Sequence, residues 1–371
     1  MAMSTLAFFA LAVAASQLQD EFEIGAVEIG ILGAVNTGVG GLFAPTAGRL
    51  SDQLGGRTSM AVTLITSAVT AAWIALSGSF LMLCVAMAAA GLPQGWGNPA
   101  CNKAIADGVR AEQKGIFTGI KQSGVQSAVF ASGFIVPPMT EAFGWRSAMW
   151  VIVAISTISL LGLPLITERA QDADPSVAGA DRPSVLAPFV TQVAIYGFLL
   201  GLVGGGLGRF IALFAEEEVG FSFATAGIIF GLQGLTAIPC RLLVGVALDR
   251  GLSARLTLIV LGTLGALSII FVILAPLQPQ LLWVGAALGG MTLGSWNTAA
   301  NVAMIRQPNA GQATGRLMLG FLLGLTLGGP AVGASIDSFG FQPAWIASAV
   351  VALAGAAIML RKTDGEHHRY G

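Results

Sequence analysis

The chain has 371 residues, of which 55% are hydrophobic and 10% are charged, and it contains 50 glycines. These proportions exclude an ordinary soluble domain and are typical of an integral membrane protein. The formal net charge of −1 gives no reason to expect nucleic acid as a partner. The three cysteines lie in apolar runs without the spacing of a metal site or a disulfide framework, so we predict no metal and no cofactor: Cys84, Cys101 and Cys240.

Twelve apolar runs follow one another along the chain, and each is long enough to cross a bilayer as a helix. In the first half they fall near residues 2–18, 25–49, 58–77, 79–104, 115–138 and 146–167. In the second half they fall near residues 187–215, 223–248, 255–275, 279–305, 312–336 and 343–361. We therefore predict an all-α integral membrane fold. The two six-helix bundles span residues 1–167 and 187–361. A polar cytoplasmic linker joins them at residues 168–186, and a cytoplasmic tail follows at residues 362–371.

The charges of the loops predict the orientation of the chain. Lys and Arg concentrate in the loops that follow even-numbered runs, in the linker and in the tail, whereas the opposite loops carry acidic residues such as Glu141 and Asp337. Because short cytoplasmic loops hold an excess of basic residues, both termini are expected in the cytoplasm. The prediction is a multi-pass protein of the plasma (inner) membrane.

Two residue patterns recur at a nearly constant displacement. A Gly, an Asp and an Arg occupy one loop in each half: Gly48, Asp52 and Arg57, then, 197 or 198 residues later, Gly245, Asp249 and Arg255. Two Asn residues four positions apart occupy one run in each half: Asn98 and Asn102, then, 199 residues later, Asn297 and Asn301. This displacement indicates duplication of a six-helix unit, which is the plan of a secondary transporter.

The loop pattern Gly48-x-x-x-Asp52-x-x-Gly55-x-Arg57, with twelve predicted helices in two halves, resembles the major facilitator superfamily over nearly the whole chain. The resemblance implies alternating access, with the two loop clusters as cytoplasmic gates: Gly48, Asp52, Arg57, Gly245, Asp249 and Arg255. Gly56 stands where a basic residue is usual, which lowers the positive charge of the loop. The alternative interpretation is an ordinary positive-inside turn.

The first predicted helix is short. When residues 18–35 are aligned with residues 214–235, only about 17 residues precede the first acidic loop, whereas the seventh run has room for nearly 30. We therefore expect helix 1 to be truncated relative to helix 7.

Two cations lie at membrane depth, where charged groups are costly and usually functional: Lys121 in the fifth run and Arg209 in the seventh. No Asp or Glu lies centrally in any run, which favours an anionic substrate over a cation or a sugar. The stretch "GIKQSG" also resembles helix 5 of the small-anion branch, which includes cyanate, nitrate-type and organic-anion carriers. The alternatives are a Lys121 that snorkels to the headgroups and an Arg209 that pairs with nearby glutamates as an outer gate.

In that superfamily, helices 4 and 10 surround the central cavity, so the resemblance implies that their amides and indoles line it. The remaining candidate substrate-binding residues are therefore Trp96, Asn98, Asn102, Gln122, Trp296, Asn297 and Asn301. Amides can donate hydrogen bonds to an anion without the cost of a charge. The alternative is that they join and pack neighbouring helices.

The sequence thus predicts a secondary active transporter, not an enzyme, that moves a small organic or inorganic anion across the lipid bilayer by alternating access. It leaves open whether a proton or another counter-ion is coupled. One alternative is an efflux carrier for neutral or amphipathic compounds. The other is a non-transporting membrane receptor or regulator derived from a carrier.

Overall fold

A computed structural model describes residues 1–109, 114–163, 188–307 and 310–361. Within these ranges the regular elements are fourteen α-helices, and no strand occurs. The helices of the first half are α1 (Ala2–Val13), α2 (Ala15–Phe22), α3 (Ala26–Leu54), α4 (Gly56–Ala75), α5 (Phe80–Gly108), α6 (Lys114–Phe143) and α7 (Trp145–Gly162). Those of the second half are α8 (Pro188–Glu217), α9 (Phe223–Asp249), α10 (Ala254–Leu274), α11 (Gln280–Thr292), α12 (Trp296–Ile305), α13 (Ala310–Phe339) and α14 (Phe341–Leu360).

Each of the twelve predicted runs coincides with one helix or with two consecutive helices. The run 2–18 is broken into α1 and α2, which meet at a 65° bend, and the run 279–305 is broken into α11 and α12. In the described ranges nine helices are long and apolar enough to span a membrane, or ten when α1 and α2 count as one span. The predicted linker 168–186 and tail 362–371 lie outside the described residues.

The chain divides into two compact units. Unit 1 contains Met1–Ala14 and Val35–Val185, and unit 2 contains Ala15–Ala34 and Leu186–Gly371. The division differs from the predicted one because the segment Ala15–Ala34 packs in unit 2. Part of the reason is that Asp337 in α13 accepts hydrogen bonds from the first backbone N–H groups of α3.

In unit 1, small residues lie where α3 meets α5. A Cβ added at Gly91 would collide with the carbonyl oxygen of Asn36, and one added at Gly95 would collide with that of Gly40. The side chain of Asn36 is buried and donates to the carbonyl of Met87 at 3.0 Å. Glycine therefore lets the two backbones touch, and van der Waals contact replaces the hydrophobic effect that lipid does not provide.

Unit 2 has the same kind of contact between α8 and α13. The face of α13 is made of glycines four residues apart, and a Cβ on any of them would meet the backbone of α8: Gly320, Gly324 and Gly328. On the α8 side, Cβ atoms at Gly201 and Gly205 would meet the carbonyls of Phe321 and Leu325. The four-residue glycine spacing of α13 thus builds a backbone-to-backbone seam along one helix face.

Candidate functional site

The central feature of unit 1 is a lysine bound by two amides. The ammonium of Lys121, in α6, donates to Oδ1 of Asn98 at 2.8 Å and to Oδ1 of Asn102 at 2.7 Å. The two asparagines lie four residues apart on one face of α5, as their spacing predicted. Lys121 is 9% exposed, whereas both asparagines are exposed. Its ammonium therefore ends on a neighbouring helix and is not simply extended along its own helix towards the headgroups.

The two amides have a different relation to the lysine than the sequence alone indicated. We expected them to donate to an anion directly, but their oxygens accept hydrogen bonds from Lys121. Both of these acceptors are uncharged, so they orient the ammonium without neutralising it. Because each oxygen faces the lysine, the two amide NH2 groups remain as the donor ends of Asn98 and Asn102. Gln122 follows in α6, and its side chain lies outside the described residues.

The two predicted indoles are packed in the helical cores. Trp96 is 8% exposed, donates from Nε1 to the hydroxyl of Ser51 at 2.9 Å, and meets the ring of Phe43 edge-on. Trp296 is 3% exposed, and its ring lies 5.6 Å from the ring of Tyr196 and 5.4 Å from that of Phe321. In this structure both residues have a packing role.

The second asparagine pair does not repeat the first. Asn301 donates from its side chain to the backbone carbonyl of Asn297 at 2.8 Å, one turn earlier in α12. Both residues are half-buried. Gly320 stands 199 residues after Lys121, so the duplicated helix carries no cation at that position. The two units have therefore diverged at the predicted substrate site.

Among the described residues of the first loop cluster, one polar contact is made by a residue outside the motif. Asp107, at the end of α5, accepts the backbone N–H of Gly56 at 2.9 Å and pairs with Lys103 at 2.8 Å. A Cβ at Gly56 would collide with the backbone of Ala104, which explains why a larger residue is absent there. By contrast, a Cβ at Gly48 would meet nothing within 4 Å. Of the other two motif residues, Asp52 is exposed and Arg57 is half-buried.

The second loop cluster pairs its charges with more distant residues. Asp249 is exposed and lies 3.9 Å from Arg306 at the end of α12. Arg255 donates to the carbonyls of Met359 at 2.8 Å and Arg361 at 2.5 Å, which are among the terminal carbonyls of α14. A Cβ at Gly245 would meet nothing within 4 Å. Arg255 is therefore a C-terminal cap of α14 in this structure.

Comparison with known proteins decides the family. Residues 1–310 match the family model of the Major Facilitator Superfamily. The chain belongs to this superfamily. The match makes it a multi-pass membrane protein of a transporter superfamily, not of an enzyme family.

The individual relatives share little sequence identity with the chain. The chain is 24% identical to the hexuronate transporter of Bacillus subtilis (strain 168) over 183 residues, which are 48% of this chain and 43% of that protein. It is similar to a crystal structure of a bacterial homolog of the human lysosomal transporter Spinster in an inward-facing and occupied conformation. That match has a TM-score of 0.81 and 15% identity and covers 96% of this chain and 94% of the other. The nucleoside transporter NupG matches with a TM-score of 0.77 and 14% identity, over 97% of each chain. Identities this low show a shared fold.

Arg209 is the second of the two cations that the sequence predicts at membrane depth. It lies in the core of unit 2. It is 2% exposed, and a Cβ added at Gly33 would come within 2.8 Å of its Cζ atom. Gly33 belongs to the first part of α3. The guanidinium is thus packed against α3, which favours a role in holding that helix.

Arg241 is a membrane-depth cation that the sequence reasoning overlooked. It lies in α9, eight residues before Asp249, and donates from Nε to the carbonyl of Gly294 at 2.8 Å. Gly294 stands at the break between α11 and α12, where Ser295 also donates back, to the carbonyls of Ala237 and Gly290. An arginine inside an apolar run was the signal that could have found it.

Proposed function

We propose that this superfamily member is a secondary active transporter of a small organic anion, with Lys121 as the cation that recognises the substrate. The observation that carries the proposal is the hydrogen bonding of the Lys121 ammonium to Asn98 and Asn102. We further propose alternating access, a location in the plasma (inner) membrane, and both termini in the cytoplasm.

The arrangement suits an anion for a simple electrostatic reason. An ammonium has three donors, and the two amides accept from it without cancelling its charge. Exposed amides at membrane depth are unfavourable against lipid, so the face of α5 that carries Asn98 and Asn102 suits a water-filled cavity. A substrate carboxylate on that face would meet one positive charge and two amide NH2 groups.

Two further observations support an organic anion. The partial similarity to a hexuronate transporter favours a substrate that carries a carboxylate. Unit 2 supplies a second cation in Arg241, held at a broken helix, and an arginine fork suits a carboxylate. We propose Arg241 as a recognition residue of unit 2.

The proposal is tested by uptake into proteoliposomes of a panel of labelled sugar acids, small carboxylates, inorganic anions and neutral sugars. We expect saturable uptake of at least one carboxylate by the parent protein and loss of it in Lys121→Gln. Arg49→Gln is the matched control, because it removes an exposed cation of unit 1 that lies outside the site. Uptake of carboxylates that is equal in Lys121→Gln and in the parent would reject the proposal, and transport of neutral compounds alone would favour an efflux carrier.

A further inference from the structure

The hydrogen bonds of Lys121 use two of its N–H groups and leave one over. The amine donates to Oδ1 of Asn98 at 2.8 Å and to Oδ1 of Asn102 at 2.7 Å. An ammonium has three N–H groups, whereas a neutral amine has two and a lone pair. Among the described residues the amine has no third acceptor. The two amides therefore satisfy a neutral amine completely, and an ammonium keeps one unused donor.

The neighbouring helix α5 supplies no counter-charge to Lys121. Its titratable group that faces the lysine is the thiol of Cys101. The acid further along α5, Asp107, pairs with Lys103 at 2.8 Å. In the described part of the chain, no carboxylate forms an ion pair with Lys121.

The other helices that pack against α6 supply no counter-charge either. These are α1 and α7. Helix α1 has no titratable side chain, and the amine of Met1, just before it, donates to the sulfur of Cys101 at 3.5 Å. The titratable side chain of α7 is Arg146, which lies near the other end of α6 and donates to the carbonyl of Ser77 at 2.8 Å. On α6 itself the acid is Glu141, also near that other end.

A positive charge without a counter-ion is costly away from water. Lys121 is buried, and its two partners are uncharged amides. Neutral acceptors do not repay the desolvation of an isolated ammonium, and a group in this position releases its proton instead. Lysine can do so, whereas arginine stays charged. The charge of Lys121 therefore depends on what else is bound beside it.

A substrate carboxylate reverses this balance. It accepts the third N–H of the ammonium and supplies the missing negative charge, so that the anion and the proton stabilise each other at Lys121. We propose that Lys121 carries a coupling proton, and that each carboxylate is transported together with one proton. The inference rests on the proposed function, because it requires the anion to bind at Lys121.

Charges and bonds balance over one transport cycle. Before substrate binds, Lys121 is a neutral amine with a lone pair. A proton from water binds the lone pair as the carboxylate arrives, and the resulting ion pair has no net charge. On the other side of the membrane the carboxylate leaves, the third N–H bond breaks, and the proton passes to water. One anion and one proton cross together, and no net charge is moved.

The first experiment counts protons during binding to the purified protein. The probes are glucuronate and pyruvate, which each carry one carboxylate that is ionised near neutral pH. Titration calorimetry in two buffers of different ionisation enthalpy gives the number of protons taken up with each anion. We expect one proton for the parent. Binding of the probes by the parent without proton uptake would overturn the proposal, whatever the variants do.

Two matched variants assign the proton to a residue. Lys121→Arg keeps the positive charge and cannot release a proton, so binding of the probes should take up none. Lys103→Arg makes the same exchange at a lysine that is paired with Asp107, and it should take up one proton as the parent does.

The second experiment uses the proton as a driving force. In proteoliposomes with the membrane potential held at zero, an inward proton gradient should raise accumulation of the labelled probe by up to about tenfold for each pH unit, which is the ratio of the proton concentrations. Lys121→Arg should lose this accumulation and still exchange labelled for unlabelled probe, because it keeps the charge. Protein-free liposomes correct for diffusion of the uncharged acid.

The outcomes separate this inference from the proposed function. Carboxylate uptake by the parent that ignores the proton gradient would overturn the inference and leave anion transport standing. Equal gradient-driven accumulation in Lys121→Arg and in the parent would also overturn it, because the proton would then belong to another residue. If the parent transported no carboxylate, the proposed function itself would fail, and the inference with it.

Discussion

The ammonium of Lys121 lies 2.7 Å from the side-chain oxygen of Asn102, and that oxygen belongs to a neutral amide. Asn102→Asp would keep the shape of the side chain and place a carboxylate on the lysine. Because the charge of the site would then be cancelled, we expect affinity for an anionic substrate to fall by about tenfold or more. Competition by the unlabelled substrate in proteoliposome uptake measures the change.

Asn301→Asp is the control for that substitution. It adds the same charge at the equivalent position of unit 2, where the side chain bonds only its own helix backbone among the described contacts. We expect a smaller loss of affinity. If Asn301→Asp weakened binding as much as Asn102→Asp, the effect would be one of overall charge and not of the Lys121 site.

Because glycines form the seam between α8 and α13, we expect one added methyl group to lower the stability of the protein markedly. In Gly324→Ala the new Cβ would meet the carbonyl of Phe198, so the helices must move apart. Overpacking of this kind costs about 1–3 kcal/mol, and we expect a melting temperature several degrees lower in detergent. In Gly208→Ala, on α8, the new Cβ meets nothing within 4 Å. That variant should be neutral or slightly more stable, because alanine favours the helix.

In the first loop, we expect that Gly56 cannot be replaced by the basic residue that is usual at this position in the superfamily. Gly56→Arg would introduce a Cβ that collides with the backbone of Ala104, and it would disturb the hydrogen bond from Gly56 to Asp107. We expect reduced folded yield and a lower melting temperature. Gly48→Ala, in the same loop motif, places its Cβ in open space and should change neither quantity. An intact Gly56→Arg protein with the parent's melting temperature would contradict the packing argument.

The contact of Arg255 with the end of α14 is expected to stabilise the protein. Arg255→Gln removes the charged donor from the carbonyls of Met359 and Arg361, and hydrogen bonds of this kind contribute about 1.5–3 kcal/mol. Thermal unfolding should therefore occur at a lower temperature. Arg250→Gln, which removes an exposed arginine from the neighbouring loop, should have little effect. Equal loss in the two variants would point to loop charge as the cause.

The features that could be predicted from the sequence are those with a local or periodic signal. Apolar runs marked the helices, and the four-residue spacing of Asn98 and Asn102 placed them on one face of α5. The contact of that face with Lys121 needed the structure. The resemblance in the loop motif agreed with the family match. Each of these signals is contained in one helix, or in one loop and its repeat.

The features that could not be predicted depend on contacts between distant parts of the chain. The bonds from Asp337 to the start of α3 join residues more than 300 positions apart, and nothing near Ala26 indicates them. The same holds for Asp107 and Gly56, which are 51 positions apart. Arg241 is a different case, because its place inside an apolar run was visible and only its partner at Gly294 needed the structure.

The seam between α8 and α13 also affects how this sequence can change over generations. At Gly320, Gly324 and Gly328 the space beside the backbone admits a hydrogen atom and nothing larger. Almost every missense change at those codons is therefore harmful, whereas exposed leucines on the same helix, such as Leu319 and Leu323, can be exchanged for other apolar residues. Sequence drift in α13 is thus confined to one side of the helix, and homologues that diverge everywhere else should keep this row of glycines.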